Sequence, residues 1–171
     1  MRVFDLAAEL GLGPIPDAAL DESISGLIRR KSDGDFEIVV NARHALTRRR
    51  FTVAHEIGHF IFHRDRLARG TSDTLAYRID GRVFPNPLIG PEQERQANNF
   101  AANLLIPNSF LRAAQAAGIT DPNELAKEFQ VSPAAMRIKL GVSREPWLFD
   151  RRPEQEPEPE KDHLGLFDSA S

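Results

Sequence analysis

Residues 55–59 read His55-Glu56-Ile57-Gly58-His59, an HExxH run. On a helix, positions i and i+4 share one face, with Cβ atoms about 5–6 Å apart. Two imidazoles placed so can grip one small cation. Zinc accepts nitrogen and oxygen ligands and tolerates an open fourth position. Glu56 is rotated off the ligand axis, so its carboxylate can reach a water on the metal without being a ligand. The chemistry predicted is hydrolysis: the cation lowers the pKa of the water and Glu56 takes the proton as general base. The competing reading is two core histidines bonded to backbone, with Glu56 in a salt bridge. The neighbours argue against it. Phe51, Val53, Ala54, Ile57, Phe60, Ile61 and Phe62 make the segment apolar on nearly every side, which predicts a buried helix. Burying His55, Glu56 and His59 without partners is unfavourable, and a metal satisfies all three together.

A zinc site that faces water usually takes three protein ligands. The candidates for the third are Glu92, Glu94, His63 and a few loop aspartates. Glu94 is favoured. It falls in the first turn of a second predicted helix, with Asn98 one turn later on the same face. Glu94 can then bind metal while the Asn98 side chain accepts a hydrogen bond from a ligand imidazole. Ala97, Ala101 and Ala102 allow this helix to lie close to the first, and Gly58 provides the matching notch. His63 continues the ladder at i+4 from His59. A fourth protein ligand would close the site, so His63 is expected behind the ligands or as a helix-end cation. Tyr77, the single tyrosine, is a candidate oxyanion stabiliser, but nothing in the sequence aims its hydroxyl at the metal, and a packed loop aromatic is the simpler reading. Zinc is the expected metal. Manganese and cobalt suit the same donors.

Two helices must therefore carry the site, one over Thr47 to His63 with Thr47 as N-cap, the other from Pro91 until Pro107 ends it. Before them, Val3, Leu6, Ala7 and Leu10 recur at helical spacing, and Gly11 can close that helix in a left-handed cap. Residues 12–21 read as a loop. Gly26 to Arg30 and Phe36 to Asn41 read as a hairpin turned at Asp33-Gly34. Residues 64–90 read as irregular, with room for short strands over 75–79 and 82–84. Asp121-Pro122-Asn123-Glu124 and Ser132-Pro133 each open a further helix, the last closed by Gly141. The arginines 48–50 sit unfavourably at the start of the active-site helix, so at least one is expected to have a partner or a functional contact. His44 and His163 read as solvated.

Length and composition set the outer limits. The chain has 171 residues, 41% hydrophobic and 27% charged, a net charge of -3 and no cysteine. One domain is the natural size. Thiolate metal sites, disulfides and cysteine nucleophiles are excluded. The charge gives no global basic field for nucleic acid. No segment reads as a signal peptide or a membrane span, so a cytoplasmic location is expected.

The run Arg50-Phe51-Thr52-Val53-Ala54-His55-Glu56-Ile57-Gly58-His59-Phe60-Ile61-Phe62-His63 closely resembles the core of the ImmA/IrrE family of metallopeptidases. Glu94 to Pro107 resembles that family's second signature, and the hairpin resembles its lead-in strands. The resemblance covers about residues 20 to 142. It implies a gluzincin-like zinc site in which His55, His59 and Glu94 are ligands and Glu56 is catalytic. It implies a regulatory protease that cuts a helix-turn-helix repressor and so switches on stress or mobile-element genes. A toxin–antitoxin setting shares that chemistry.

The expected fold is α+β. A small zincin-like domain (1–118) sets a short sheet on the HExxH helix and a second ligand-bearing helix. A helix-turn-helix-like helical subdomain (119–149) and a flexible tail rich in Pro and Glu (150–171) follow. Arg137, Lys139 and Arg144 lend the subdomain some basic charge, but Glu124, Glu128 and Glu145 dilute it. Packing on the zinc domain is therefore expected rather than DNA contact. The alternative function is a zinc-stabilised binding module that sequesters a transcription factor, or binds DNA, without proteolysis.

Overall fold

The computed structural model describes residues 2–17, 19–22, 24–69 and 88–142. Helix α1 (Val3–Glu9) buries Val3 and Ala7. It ends in a left-handed turn at Gly11 (φ 74°), where the Gly11 N–H donates to the Ala8 carbonyl and the Leu12 N–H to Ala7. That arrangement satisfies the last carbonyls and needs a residue without Cβ.

Three strands form one mixed sheet in the order β1-β3-β2. The hairpin of β2 (Gly26–Arg30) and β3 (Phe36–Asn41) is antiparallel, with Ile28 opposite Ile38. Its turn is closed by the Gly34 N–H on the Lys31 carbonyl and by the Asp35 N–H on Asp33 Oδ1. The third strand corrects the reading of residues 12–21 as a loop. β1 (Ile15–Asp17) runs parallel to β3, Ile15 opposite Val39. Three residues around a proline carry no alternation to read, and an edge position tolerates the missing N–H of Pro16.

Helix α2 spans Leu46–Arg69. It begins before Thr47, so Thr47 lies in its first turn rather than capping it. A turn built on Asn41 sends the chain into the helix early: Asn41 Oδ1 accepts from the Arg43 N–H and its carbonyl from the His44 N–H. Arg48 and Arg49 at this end both have partners, as at least one arginine here was expected to have. Arg48 donates to Ser25 Oγ through Nε and a terminal nitrogen (3.0 and 2.7 Å), and Arg49 lies over the Phe4 ring. Arg50 is buried. His44 is not simply solvated, because its Nε2 lies 2.8 Å from the Glu22 carbonyl. The helix is buried from Arg50 to His59, but Ile61 and Phe62 are about half exposed, so the apolar stripe outruns the core. It also continues beyond His63, where irregularity was expected. The non-helical backbone at His63 (φ -128°, ψ 15°) bends it instead.

Helix α3 (Pro91–Leu105) places proline at its first position and ties its start by the Gly90 N–H on Gln93 Oε1. Helix α4 (Asn108–Ala116) follows Pro107 at once and answers to no expected element. Helix α5 (Pro122–Phe129) is capped by Asp121 Oδ1, and α6 (Pro133–Lys139) by Ser132 Oγ. The buried core runs from Val3 and Ile38 through Ile57 and Leu105 to Leu125 and Met136. Among the described residues, no helix is long and apolar enough to cross a membrane.

Candidate metal centre

The close approach of α2 and α3 makes the site. A Cβ added to Gly58 would stand 3.1 Å from the Ala97 Cα and 3.1 Å from Phe100 Cδ1. Only a glycine against an alanine lets the two backbones lie this near. Glu94, one turn before Asn98, is thereby brought over the face of α2 that carries His55 and His59.

The ligand atoms of His55, His59 and Glu94 all lie within 4.8 Å of one another. The two Nε2 atoms are 2.9 Å apart. Glu94 Oε2 stands 3.4 Å from His55 Nε2, and Oε1 stands 3.5 Å from His59 Nε2. Nitrogen ligands about 2.0–2.1 Å from a tetrahedral zinc are spaced about 3.3 Å from each other. The nitrogen–oxygen spacings match that figure, and the histidine pair needs only a few tenths of an ångström of opening. The donor set is one that zinc accepts. Both histidines are almost fully buried, whereas the Glu94 side chain is 23% exposed, which leaves the cluster an approach from solvent.

Each histidine is held through its other nitrogen. His55 Nδ1 donates to Asn98 Oδ1 at 2.9 Å, which leaves a lone pair on His55 Nε2. His59 Nδ1 lies 3.1 Å from His63 Nδ1, and His63 Nε2 lies 3.0 Å from Gln96 Oε1. Burial is the largest influence on the His63 imidazole and holds its pKa below the ordinary histidine value. A neutral ring can accept on one nitrogen and donate from the other.

Of the residues singled out in the sequence, the structure thus brings together His55, His59 and Glu94, with Asn98 and His63 behind them. Glu56 is buried on α2 between the two histidines and is not part of the three-residue cluster. Glu92 is exposed and bonds Arg95. Tyr77, the strands considered over 75–79 and 82–84, Arg144, His163 and the tail lie outside the described residues. Gln96 was missed by the sequence reading. Its one signal was a position two residues after Glu94 on the same helix.

Two histidines and a carboxylate on adjacent helices, set beside a small mixed sheet, are the makings of a mononuclear metal site. The family model of peptidase family M78, described as the IrrE N-terminal-like domain, matches residues 22–141. The chain belongs to that family. No curated protein matches it in sequence. A solved structure of a Mycobacterium tuberculosis transcriptional regulator shares the fold, with a TM-score of 0.55 at 19% identity. The match covers 84% of this chain and 41% of that one, so this chain spans well under half of the regulator's length.

Proposed function

We propose that this protein is a zinc-dependent endopeptidase that cuts a regulatory protein at one site. One observation carries the reading. Glu56 lies on the ligand helix between His55 and His59 but outside the three-ligand cluster, where a structural metal site has no use for a buried carboxylate. A cation held by His55, His59 and Glu94 supplies Lewis acidity, which polarises a carbonyl and acidifies a water. Glu56 accepts the proton of the attacking water at its carboxylate. It then returns that proton to the amine that leaves as the peptide C–N bond breaks. Asn98 holds His55 in the tautomer that offers Nε2. The exposed edge of Glu94 marks the side from which a peptide enters.

For the substrate we propose a helix-turn-helix repressor, in keeping with the family resemblance and with the transcriptional regulator that shares the fold. The pair α5 and α6 supports a packing role rather than DNA reading. Lys139 Nζ donates to Asn103 Oδ1 on α3, and Arg137 donates to Asn123 on α5, so two of the basic side chains of this segment are engaged within the molecule.

The test is intact-mass analysis of the zinc-loaded chain mixed with the helix-turn-helix regulator encoded nearest to it. One discrete cut is expected, lost by at least about a hundredfold in Glu56→Gln while zinc is retained. A stable complex with no cut would replace this reading by the binding module. Normal cutting by Glu56→Gln would remove Glu56 from the mechanism.

A further inference from the structure

The histidines 55 and 59 are oriented by different means. Asn98 holds His55 directly. Behind His59 runs a longer chain: His63, then Gln96, then Glu92. His59 serves the metal only as the Nδ1–H tautomer, which leaves the Nε2 lone pair free. The competing tautomer puts a proton on Nε2, where the His55 Nε2 lone pair 2.9 Å away and the Glu94 carboxylate would both accept it. Something must oppose that tautomer.

The direction of the outer chain can be read from its far end. Arg95, which can only donate, bonds both oxygens of the Glu92 carboxylate, Nε at 2.9 Å and a terminal nitrogen at 2.7 Å. A carboxylate only accepts. The Gln96 Nε2 at 3.0 Å must therefore donate to it, which turns Gln96 Oε1 towards His63. An amide oxygen only accepts, so His63 Nε2 carries the proton. With its proton on Nε2, the His63 ring presents Nδ1 as the acceptor, and His59 Nδ1, 3.1 Å away, donates to it.

We infer that Gln96, oriented by Glu92 and Arg95, is a positioning residue that sets the tautomer of His59 through His63 and so readies His59 Nε2 to bind metal. This rests on the proposed metal site. It assigns a role at that site to a side chain on the exposed face of α3.

The test separates hydrogen-bond direction from packing. Zinc affinity is measured by chelator competition for the wild type, Gln96→Met, Gln96→Glu, His63→Leu and His63→Gln. Methionine keeps the shape of glutamine but accepts poorly, and glutamate can only accept. Gln96→Met is expected to weaken zinc about tenfold, and His63→Leu by about 10–100-fold. Gln96→Glu should bind like the wild type. His63→Gln, which can accept from His59 and donate to Gln96, should recover most of the affinity. In the zinc-loaded wild type, NMR should show a slowly exchanging proton on His59 Nδ1, absent in His63→Leu. If Gln96→Met binds as the wild type does, or Gln96→Glu falls as far as Gln96→Met, the inference is overturned while the metal site stands. If the wild type binds no zinc, both fail.

Discussion

Asn98 makes the sharpest residue-scale prediction, because it contacts the ligand His55 directly and is itself buried at 4% exposure. Asn98→Ala removes the acceptor and leaves the His55 ring free to turn or change tautomer. Zinc affinity should fall about 10–100-fold. Asn98→Asp keeps an acceptor in place and should lose far less. Equal losses in the two variants, measured by chelator competition, would mean that Asn98 acts by filling space. Much at this scale was legible beforehand. His55, Glu56 and His59 follow from one spacing, and Glu94 with Asn98 from a second. Gln96 and Glu92 were not legible as a pair, because the direction of a hydrogen bond at an exposed amide depends on which helix faces it. Tyr77 drew notice only as the single tyrosine.

At the scale of elements, the α2–α3 contact matters most, and Gly58 is its tightest point. A valine there would press on the Ala97 backbone, which cannot yield as a flexible side chain can. Gly58→Val should destabilise the fold by about 1–3 kcal/mol through overpacking. It should also weaken zinc, because Glu94 rides on the helix that is pushed away. Thermal unfolding with and without zinc reads both effects. Stability lost with zinc affinity intact would show that α3 tilts without carrying Glu94 out. The cap of α5 is a control remote from the site. Asp121 accepts from the Asn123 and Glu124 N–H groups, so Asp121→Ala should cost about 1 kcal/mol and leave zinc binding unchanged. The capping pattern over Asp121 to Glu124 was plain in the sequence, as were the hairpin and the two site helices. The elements that escaped were β1, too short and proline-bearing for any period, and α4. Pro107 marks the end of α3, but a proline that ends one helix can stand just before the next. The bend at His63 was hidden because an i+4 histidine ladder looks the same straight or bent.

At the scale of the molecule, the question is whether α5 and α6 stand apart from the metal-binding part. The sequence suggested a boundary near residue 118, at a turn followed by a strong cap. The buried core crosses it: Leu125 and Met136 join the same apolar cluster as Ile57 and Leu105, and Lys139 bonds Asn103 on α3. A shared core argues for one cooperative unit. If the proposed site binds zinc in the folded protein alone, zinc at a hundred times its dissociation constant should add about 2.7 kcal/mol. For a chain of this size that raises the melting temperature by about 5–10 °C. Met136 is fully buried, and Met136→Ala should cost about 2–5 kcal/mol. If the molecule melts as one unit, calorimetry should show a single peak in the wild type and the variant, lower in the variant and raised by zinc to a similar extent in both. An independent α5–α6 pair would split the trace instead. An early peak would then fall with Met136→Ala and ignore zinc, while a later one would follow zinc and ignore the mutation. That result would set the boundary near residue 118 and make the last two helices a separate module, free to meet a partner that the metal site never touches.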